Sequence, residues 1–345
     1  MGDRPRIGAI ELSHHYKNAR SPAIDMHQSD AFPPETIAIR EGLTQINCDH
    51  SPGRRLNARH PCFRGFLNRG APIMEYRSIL VHLDGSERAS ACLDLALLVA
   101  RQHGAHLNAL FAPVTTDHES AWSVSFDTGY RERTREDTRR ALEHQFLNGL
   151  SQTNLKGTWR TAMKHAQQEL LALSPFADLI VVGQSDPHDP DASLSNRLQV
   201  QVTLAAGRPV LWTPYVGTFP TVGERIVVAW DAGQSATRAL YDALPFMQLA
   251  GHTTIVTLNA EREGRIPGAD IALVLARHGV DAEITQLHTP PTVSVADALL
   301  SRVDKLGSDL LVMGAYGHAR WKELVLGGVT QTVLGSMPVP VLMSH

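Results

Sequence analysis

The strongest constraint on the fold of this chain is an internal repeat. A short apolar run, preceded by aspartate and ended by glycine, occurs at residues 178–183 and again at residues 309–314. The spacing from that glycine to the proline of the next apolar segment is the same in both copies, 209 − 183 = 26 and 340 − 314 = 26 residues. Two copies that align without a gap indicate that one folding unit has been duplicated.

Both copies alternate strand patterns with helix patterns. An apolar strand pattern at residues 79–83 ends at Asp84, and its echo at residues 226–230 ends at Asp231. Buried strands separated by helices of this length predict an α/β fold with a parallel sheet and helices on both faces. In detail, we predict that Ser86 caps the first helix and that residues 235–249 form one helix.

The domain boundaries follow from changes in composition. We predict a mostly disordered N-terminal extension over residues 1–73, because Pro33-Pro34, Ser51-Pro52-Gly53 and His60-Pro61 break it up and no long period is sustained there. The two repeats are then domains at residues 74–215 and 223–345, joined by a linker near residues 214–223 that contains prolines and glycines.

Glycines gather after the fourth strand of the second domain. Gly314 ends the strand pattern, Gly317 follows in the loop, and Gly327 and Gly328 stand just before a helical pattern that begins at Val329. Bare backbone N–H groups in such a loop, and the positive end of a helix, favour a bound phosphate. We therefore expect an anion site here, although the same glycines can simply make turns.

The spacing Gly314-x-x-Gly317, nine residues, then Gly327 resembles the nucleotide-binding signature of the universal stress proteins. The resemblance covers residues 74–345 as a tandem pair. It implies, for each domain, a five-stranded parallel sheet in the order 3-2-1-4-5 with helices on both faces. The family usually has Ser or Thr after the last glycine, where this chain has Gly328. One hydroxyl expected near the phosphates is therefore missing.

The resemblance also implies roles for particular side chains of the second domain. Asp231 takes the position of the aspartate beside the nucleoside, and Val256 and Met313 would flank the base. His318 and Arg320 lie in the glycine loop, within reach of phosphate. The alternatives stay open: Asp231 can form a turn with the following glycine, and the two apolar side chains can belong to the core.

The first domain lacks most of this motif. In the gapless alignment Gly183 matches Gly314, but Asp186 matches Gly317, Asn196 matches Gly327 and Arg197 matches Gly328. A carboxylate would repel phosphate, and Pro187 and Pro190 remove backbone donors from the loop. We predict that this domain is degenerate as a nucleotide site and is retained as a packing partner.

These features favour a stress-response or regulatory protein that binds ATP or AMP, with Mg²⁺ accompanying ATP. The alternative is a nucleotide-free scaffold with the same fold. The sequence has no P-loop, no dinucleotide fingerprint and no paired nucleophile and base. We therefore predict no enzymatic activity, with weak ATP hydrolysis left open, no catalytic residue and no metal site.

Charge and cysteine content give the remaining expectations. A net charge of −3 offers no reason to expect nucleic acid or an anionic membrane as partner. Cys48, Cys62 and Cys92 are odd in number and lack metal spacing, which fits a reducing cytoplasm. Both fifth strands are apolar, so we expect the two domains to pair through them within one chain. A homodimer of the whole chain stays open.

Overall fold

A computed structural model describes residues 74–113, 128–162, 165–185, 192–258, 268–290, 292–316 and 328–345. These residues form one ten-stranded sheet with helices on both faces. The predicted N-terminal extension lies outside the described residues. Within the described part of the chain, no helix is long and apolar enough to cross a membrane.

The first half of the chain, residues 74–213, alternates strand and helix from its first strand to its last. A 3-10 turn, Ser174–Phe176, stands between its third helix and fourth strand. The elements are β1 (Ser78–Leu83), α1 (Ala89–His103), β2 (His106–Phe111), α2 (Thr128–Thr153), β3 (Gly157–Thr161), α3 (Ala166–Leu173), β4 (Leu179–Gly183), α4 (Ala192–Ala205) and β5 (Val210–Thr213).

The second half repeats the alternation, with one additional break in its first helical segment. Its elements are β6 (Arg225–Ala229), α5 (Gln234–Asp242), α6 (Leu244–Leu249), β7 (His252–Leu258), α7 (Ala269–Arg277), β8 (Ala282–Leu287), α8 (Val295–Lys305), β9 (Leu310–Gly314), α9 (Gly328–Ser336) and β10 (Val341–Ser344).

The strand order is β3-β2-β1-β4-β5-β10-β9-β6-β7-β8. Each half therefore has the order 3-2-1-4-5, and all its strands pair in parallel. The predicted fold class is confirmed. The halves meet where β5 and β10 pair antiparallel, with Trp212 opposite Val341. Because of this antiparallel seam, the carboxyl ends of the strands lie at opposite edges of the sheet in the two halves.

Two apolar layers cover the faces of the sheet, and both halves contribute to each. Alternate residues of one strand enter different layers: in β9, Leu310 and Val312 join the layer of α1, α5 and α7, while Leu311 and Met313 join that of α3, α4, α8 and α9. This period of two is expected for strands buried on both faces. Cys92, 1% exposed, belongs to the first layer.

An aromatic cluster joins the halves in the first layer. The ring of His103 packs edge-on against Tyr76 at 4.9 Å and against Phe246 of the second half at 5.2 Å between centroids. The Tyr76 hydroxyl donates a hydrogen bond to the backbone oxygen of Asp242 at 2.6 Å. His103 is 4% exposed, and neither of its ring nitrogens has a hydrogen-bond partner.

Two details of the predicted helices are wrong. The segment 235–249 is not one helix, because it breaks at Ala243 between α5 and α6. Pro245 lies in the first turn of α6, and a proline can begin a helix but cannot donate the bond that continues one. Ser86 does not cap α1: the cap position is Arg88, which makes no side-chain capping bond.

Candidate functional site

The candidate site lies at the edge where β6 and β9 end side by side. Strand β6 pairs in parallel with β7 on one side and with β9 on the other. The chain connections that leave β6 and β9 therefore run in opposite directions along the sheet. Open α/β sheets bind ligands at such a switch point, beyond the carboxyl ends of the strands. Asp231 follows β6 here, Gly314 ends β9, and helices α5 and α9 both begin at this edge.

Asp231 forms a tight turn with its own backbone. Its Oδ1 accepts a hydrogen bond from the N–H of Gly233 at 2.7 Å, and Ala232 between them has a left-handed φ of 61°. This is the turn that the sequence offered as the alternative for Asp231, and the structure contains it. The residue is exposed, so its carboxylate lies at the solvent side of the edge.

Gly314 is needed because β9 passes very close to the start of α5. A Cβ added to Gly314 would lie 2.5 Å from the backbone nitrogen of Ala236 and 2.6 Å from the carbonyl carbon of Ser235. Helix α5 begins after Gly233 without a side-chain cap. The first turn of α5 therefore lies against the end of β9, where the positive end of the helix macrodipole favours an anion.

Sequence reasoning missed the pair formed by Tyr316 and Thr330. Tyr316 has a left-handed φ of 54°, and its N–H donates to Thr330 Oγ1 in α9 at 3.3 Å. The ring is buried, which raises the pKa of its hydroxyl, and it packs edge-on against His345. Thr330 is 4% exposed. Its hydroxyl faces the protein interior and does not replace the one missing at Gly328.

The other predicted site residues of the second half fall into three groups. Val256 and Met313 are 0% and 5% exposed and pack in the layer beneath α8 and α9. Gly328 and Val329 are exposed in the first turn of α9. The rest lie outside the described residues: Gly317, His318, Arg320 and Gly327.

The first half has the same turn after its first strand. Asp84 Oδ1 accepts a hydrogen bond from the N–H of Ser86 at 3.0 Å, across Gly85 with a φ of 82°. The packing at the end of β4 differs, because a Cβ on Gly183 would meet nothing within 4 Å. The two strand-end glycines therefore have different surroundings. Asp186, Pro187 and Pro190 lie outside the described residues.

His82, near the end of β1, gives this edge of the first half a buried neutral group. Its ring Nε2 donates to the backbone oxygen of Ala112 at 2.8 Å. Burial lowers the pKa of the imidazole. Among the described residues no group of three or more His, Cys, Asp or Glu side chains is arranged to hold a metal ion.

Two halves with parallel five-stranded sheets in the order 3-2-1-4-5 and helices on both faces define an α/β protein of the doubly wound class. Residues 223–345 match the model of the universal stress protein family. The second half of the chain is therefore a universal stress protein domain. The likeness to solved structures extends over both halves.

A universal stress protein from Archaeoglobus fulgidus DSM 4304 superposes with a TM-score of 0.57 at 17% identity, covering 77% of this chain and 97% of that one. A putative universal stress protein from Pseudomonas aeruginosa UCBPP-PA14 covers 77% of this chain and 92% of its own, at 18% identity and a TM-score of 0.46.

A universal stress protein solved in complex with cAMP matches 42% of this chain and 99% of its own length, at 22% identity and a TM-score of 0.32. A search of curated proteins found no match to this sequence.

Proposed function

We propose that residues 223–345 bind an adenine nucleotide, ATP or AMP, without turning it over, and that this binding serves a stress-response or regulatory role. The supporting observation is that Asp231, Gly314 and the starts of α5 and α9 meet at one edge of the sheet. With ATP, Mg²⁺ would accompany the phosphates, which commonly supply its ligands.

The physical basis of the proposal is complementary charge. Helices α5 and α9 lie on opposite faces of the sheet and begin at the same edge, so their positive ends both favour a polyanion there. The exposed carboxylate of Asp231 can accept hydrogen bonds from ribose hydroxyls. Gly328 leaves the backbone of the first turn of α9 without a covering side chain.

A second candidate function is a scaffold that uses the fold without a nucleotide. Val256 and Met313 favour it, because both are buried in the core and a base could contact them only if neighbouring groups moved. The turn made by Asp231 favours it as well, because that bond already uses one carboxylate oxygen.

The substitution Asp231→Asn separates the two candidates. Asparagine keeps an oxygen that accepts from Gly233, so the turn survives while the charge and the second acceptor are lost. The matched control is Asp84→Asn in the equivalent turn of the first half. We expect D231N to weaken AMP or ATP binding by about tenfold, the effect of losing a hydrogen bond to a charged group, and D84N to leave it unchanged.

Calorimetric titration of the full chain with AMP, ATP and cAMP provides the readout. Absence of binding by the wild-type chain would support the scaffold. A loss in D84N with D231N unchanged would show that the site has been assigned to the wrong half, and equal losses would show that the effect is not specific to the second half.

A further inference from the structure

Helix α9 connects the two edges of the sheet. Its first residue, Gly328, lies at the edge where β6 and β9 end, and its nine residues span about 14 Å at 1.5 Å per residue. Because β5 and β10 are antiparallel, the last turn of α9 lies at the opposite edge, where the strands of the first half end. One helix therefore touches the carboxyl edge of both halves.

Gln184 of the first half holds the last turn of this helix. It is the first residue after β4, and its Nε2 donates to the backbone oxygen of Leu334 at 2.7 Å. Its Oε1 accepts from the N–H of Tyr215 at 2.7 Å, and its own N–H donates to the oxygen of Thr213 at 2.8 Å. The amide is thus fixed at both ends, between the end of β5 and α9.

The carbonyl that Gln184 contacts needs an outside donor. Leu334 is among the last four residues of α9, whose carbonyls have no partner within the helix. The last turn of α9 contains no basic residue that could interact with its negative end. Gln184 therefore supplies, from the other half of the chain, part of the C-terminal capping that α9 lacks.

The second half has no glutamine at the position equivalent to Gln184. In the gapless alignment the residue that matches Gln184 is Ala315, which likewise donates its N–H to the next strand, to Ser344 at 2.9 Å. The alanine side chain cannot donate a hydrogen bond. The backbone arrangement is thus repeated, while at this aligned position the side-chain bond that clamps α9 is made by Gln184 and cannot be made by Ala315.

We propose that Gln184 is a positioning residue for the ligand site of the second half. By fixing the last turn of α9, it sets where the first turn at Gly328 stands relative to Gly314. The first half, which lacks most of the glycine motif, then acts on the site of its neighbour through this clamp. This inference rests on the proposed nucleotide site, while the clamp itself can be tested without a nucleotide.

The test compares Gln184→Met with Gln102→Met in the full chain. Methionine keeps the length of the side chain and removes its donor and acceptor. Gln102 is a matched control, because its Nε2 also donates to a backbone oxygen, that of Val222 in the linker, at 3.1 Å. Both residues of this pair are far from α9 in the sequence. A third variant, Gln184→Glu, retains an acceptor for Tyr215 but turns a carboxylate toward the oxygen of Leu334.

Two measurements are made on each variant: hydrogen exchange of the α9 amides without ligand, and the affinity for AMP by calorimetry. Loss of one hydrogen bond corresponds to about a fivefold change. We expect Q184M to speed α9 exchange and to weaken AMP binding by about this factor, Q184E to do so more strongly, and Q102M to change neither.

Unchanged α9 exchange in Q184M would overturn the clamp. Faster exchange with unchanged affinity would overturn the positioning role. If the wild-type chain binds no AMP, ATP or cAMP, the proposed function fails and the positioning role fails with it, while the exchange data still decide whether Gln184 holds α9.

Discussion

Gly314 lies so close to helix α5 that a Cβ on it would stand 2.5 Å from the backbone nitrogen of Ala236. The obstacle is backbone rather than a flexible side chain, so it cannot simply rotate away. The end of β9 and the first turn of α5 are thereby held together at the candidate site. At the equivalent Gly183 in the first half, the space around an added Cβ is empty.

These two glycines give a matched pair of variants. Gly314→Ala should lower the free energy of unfolding by about 1–3 kcal/mol, as overpacking does. Gly183→Ala should change it by no more than about 0.5 kcal/mol. Urea unfolding of both variants measures the difference. Equal effects would contradict the close approach of β9 to α5.

The turns after β1 and β6 give a second pair of variants, whose expected effects on stability have opposite signs. Ala232 has a φ of 61°, a conformation that costs an L-residue about 1–2 kcal/mol, so Ala232→Gly should stabilise the chain by about 0.5–1 kcal/mol after the entropy of glycine is counted. Gly85 has a φ of 82°, so Gly85→Ala should destabilise by about 1 kcal/mol. Thermal melts measure both effects, and melting temperatures that shift in the same direction in both variants would contradict the shared turn.

Such comparisons show what the sequence could and could not predict. The strand order of both halves followed from the repeat and the family resemblance, because buried apolar runs and their spacing are visible in the sequence. The break at Ala243 was missed, although Pro245 was a signal for it. The bond from Tyr316 to Thr330 left no signal, because a left-handed tyrosine depends on tertiary packing.

The site was predicted less completely than the fold. The turn at Asp231 is a local feature, and the sequence offered it as one of two roles. The contact of Gly314 with α5 joins segments about 80 residues apart, so no local pattern shows it. Whether Val256 or Met313 contacts a ligand also depends on tertiary structure, since a core side chain and a base-flanking side chain have the same sequence pattern.

His103 predicts a fall in stability in acid. Burial lowers the pKa of its imidazole from 6.5 to about 4. Above pH 6.5 the ring is neutral in both states; as the pH falls toward 4, only the unfolded chain gains the proton. Stability should therefore fall over this window by roughly 3 kcal/mol, at 1.4 kcal/mol per pKa unit.

The substitution His103→Phe should remove this part of the pH dependence and keep the packing against Tyr76 and Phe246. His144→Phe, at an exposed position of α2, is the control and should leave it intact. Urea unfolding of the wild-type chain, H103F and H144F at pH 7, 5.5 and 4.5 gives the free energy of unfolding of each as a function of pH. If the free energy of unfolding of H103F fell with pH as steeply as that of the wild-type chain, the burial of His103 would not be the source of the pH dependence.

The seam between β5 and β10 predicts the effect of a buried charge. Val341 is 0% exposed and stands opposite Trp212, so Val341→Lys places an ammonium group in an apolar layer and should cost more than about 3 kcal/mol. Leu249→Lys, at a residue 49% exposed, should be nearly neutral. Limited proteolysis near residues 214–223 should become faster in V341K alone, and equal rates would contradict the role of the seam.

The central claim is that one half of this duplicated chain binds an adenine nucleotide and the other does not. Calorimetric titration of the full wild-type chain with AMP and with ATP measures this directly, through the stoichiometry. We predict one nucleotide per chain, with an affinity about tenfold weaker in D231N and unchanged in D84N. Two nucleotides per chain, or none, would contradict the account.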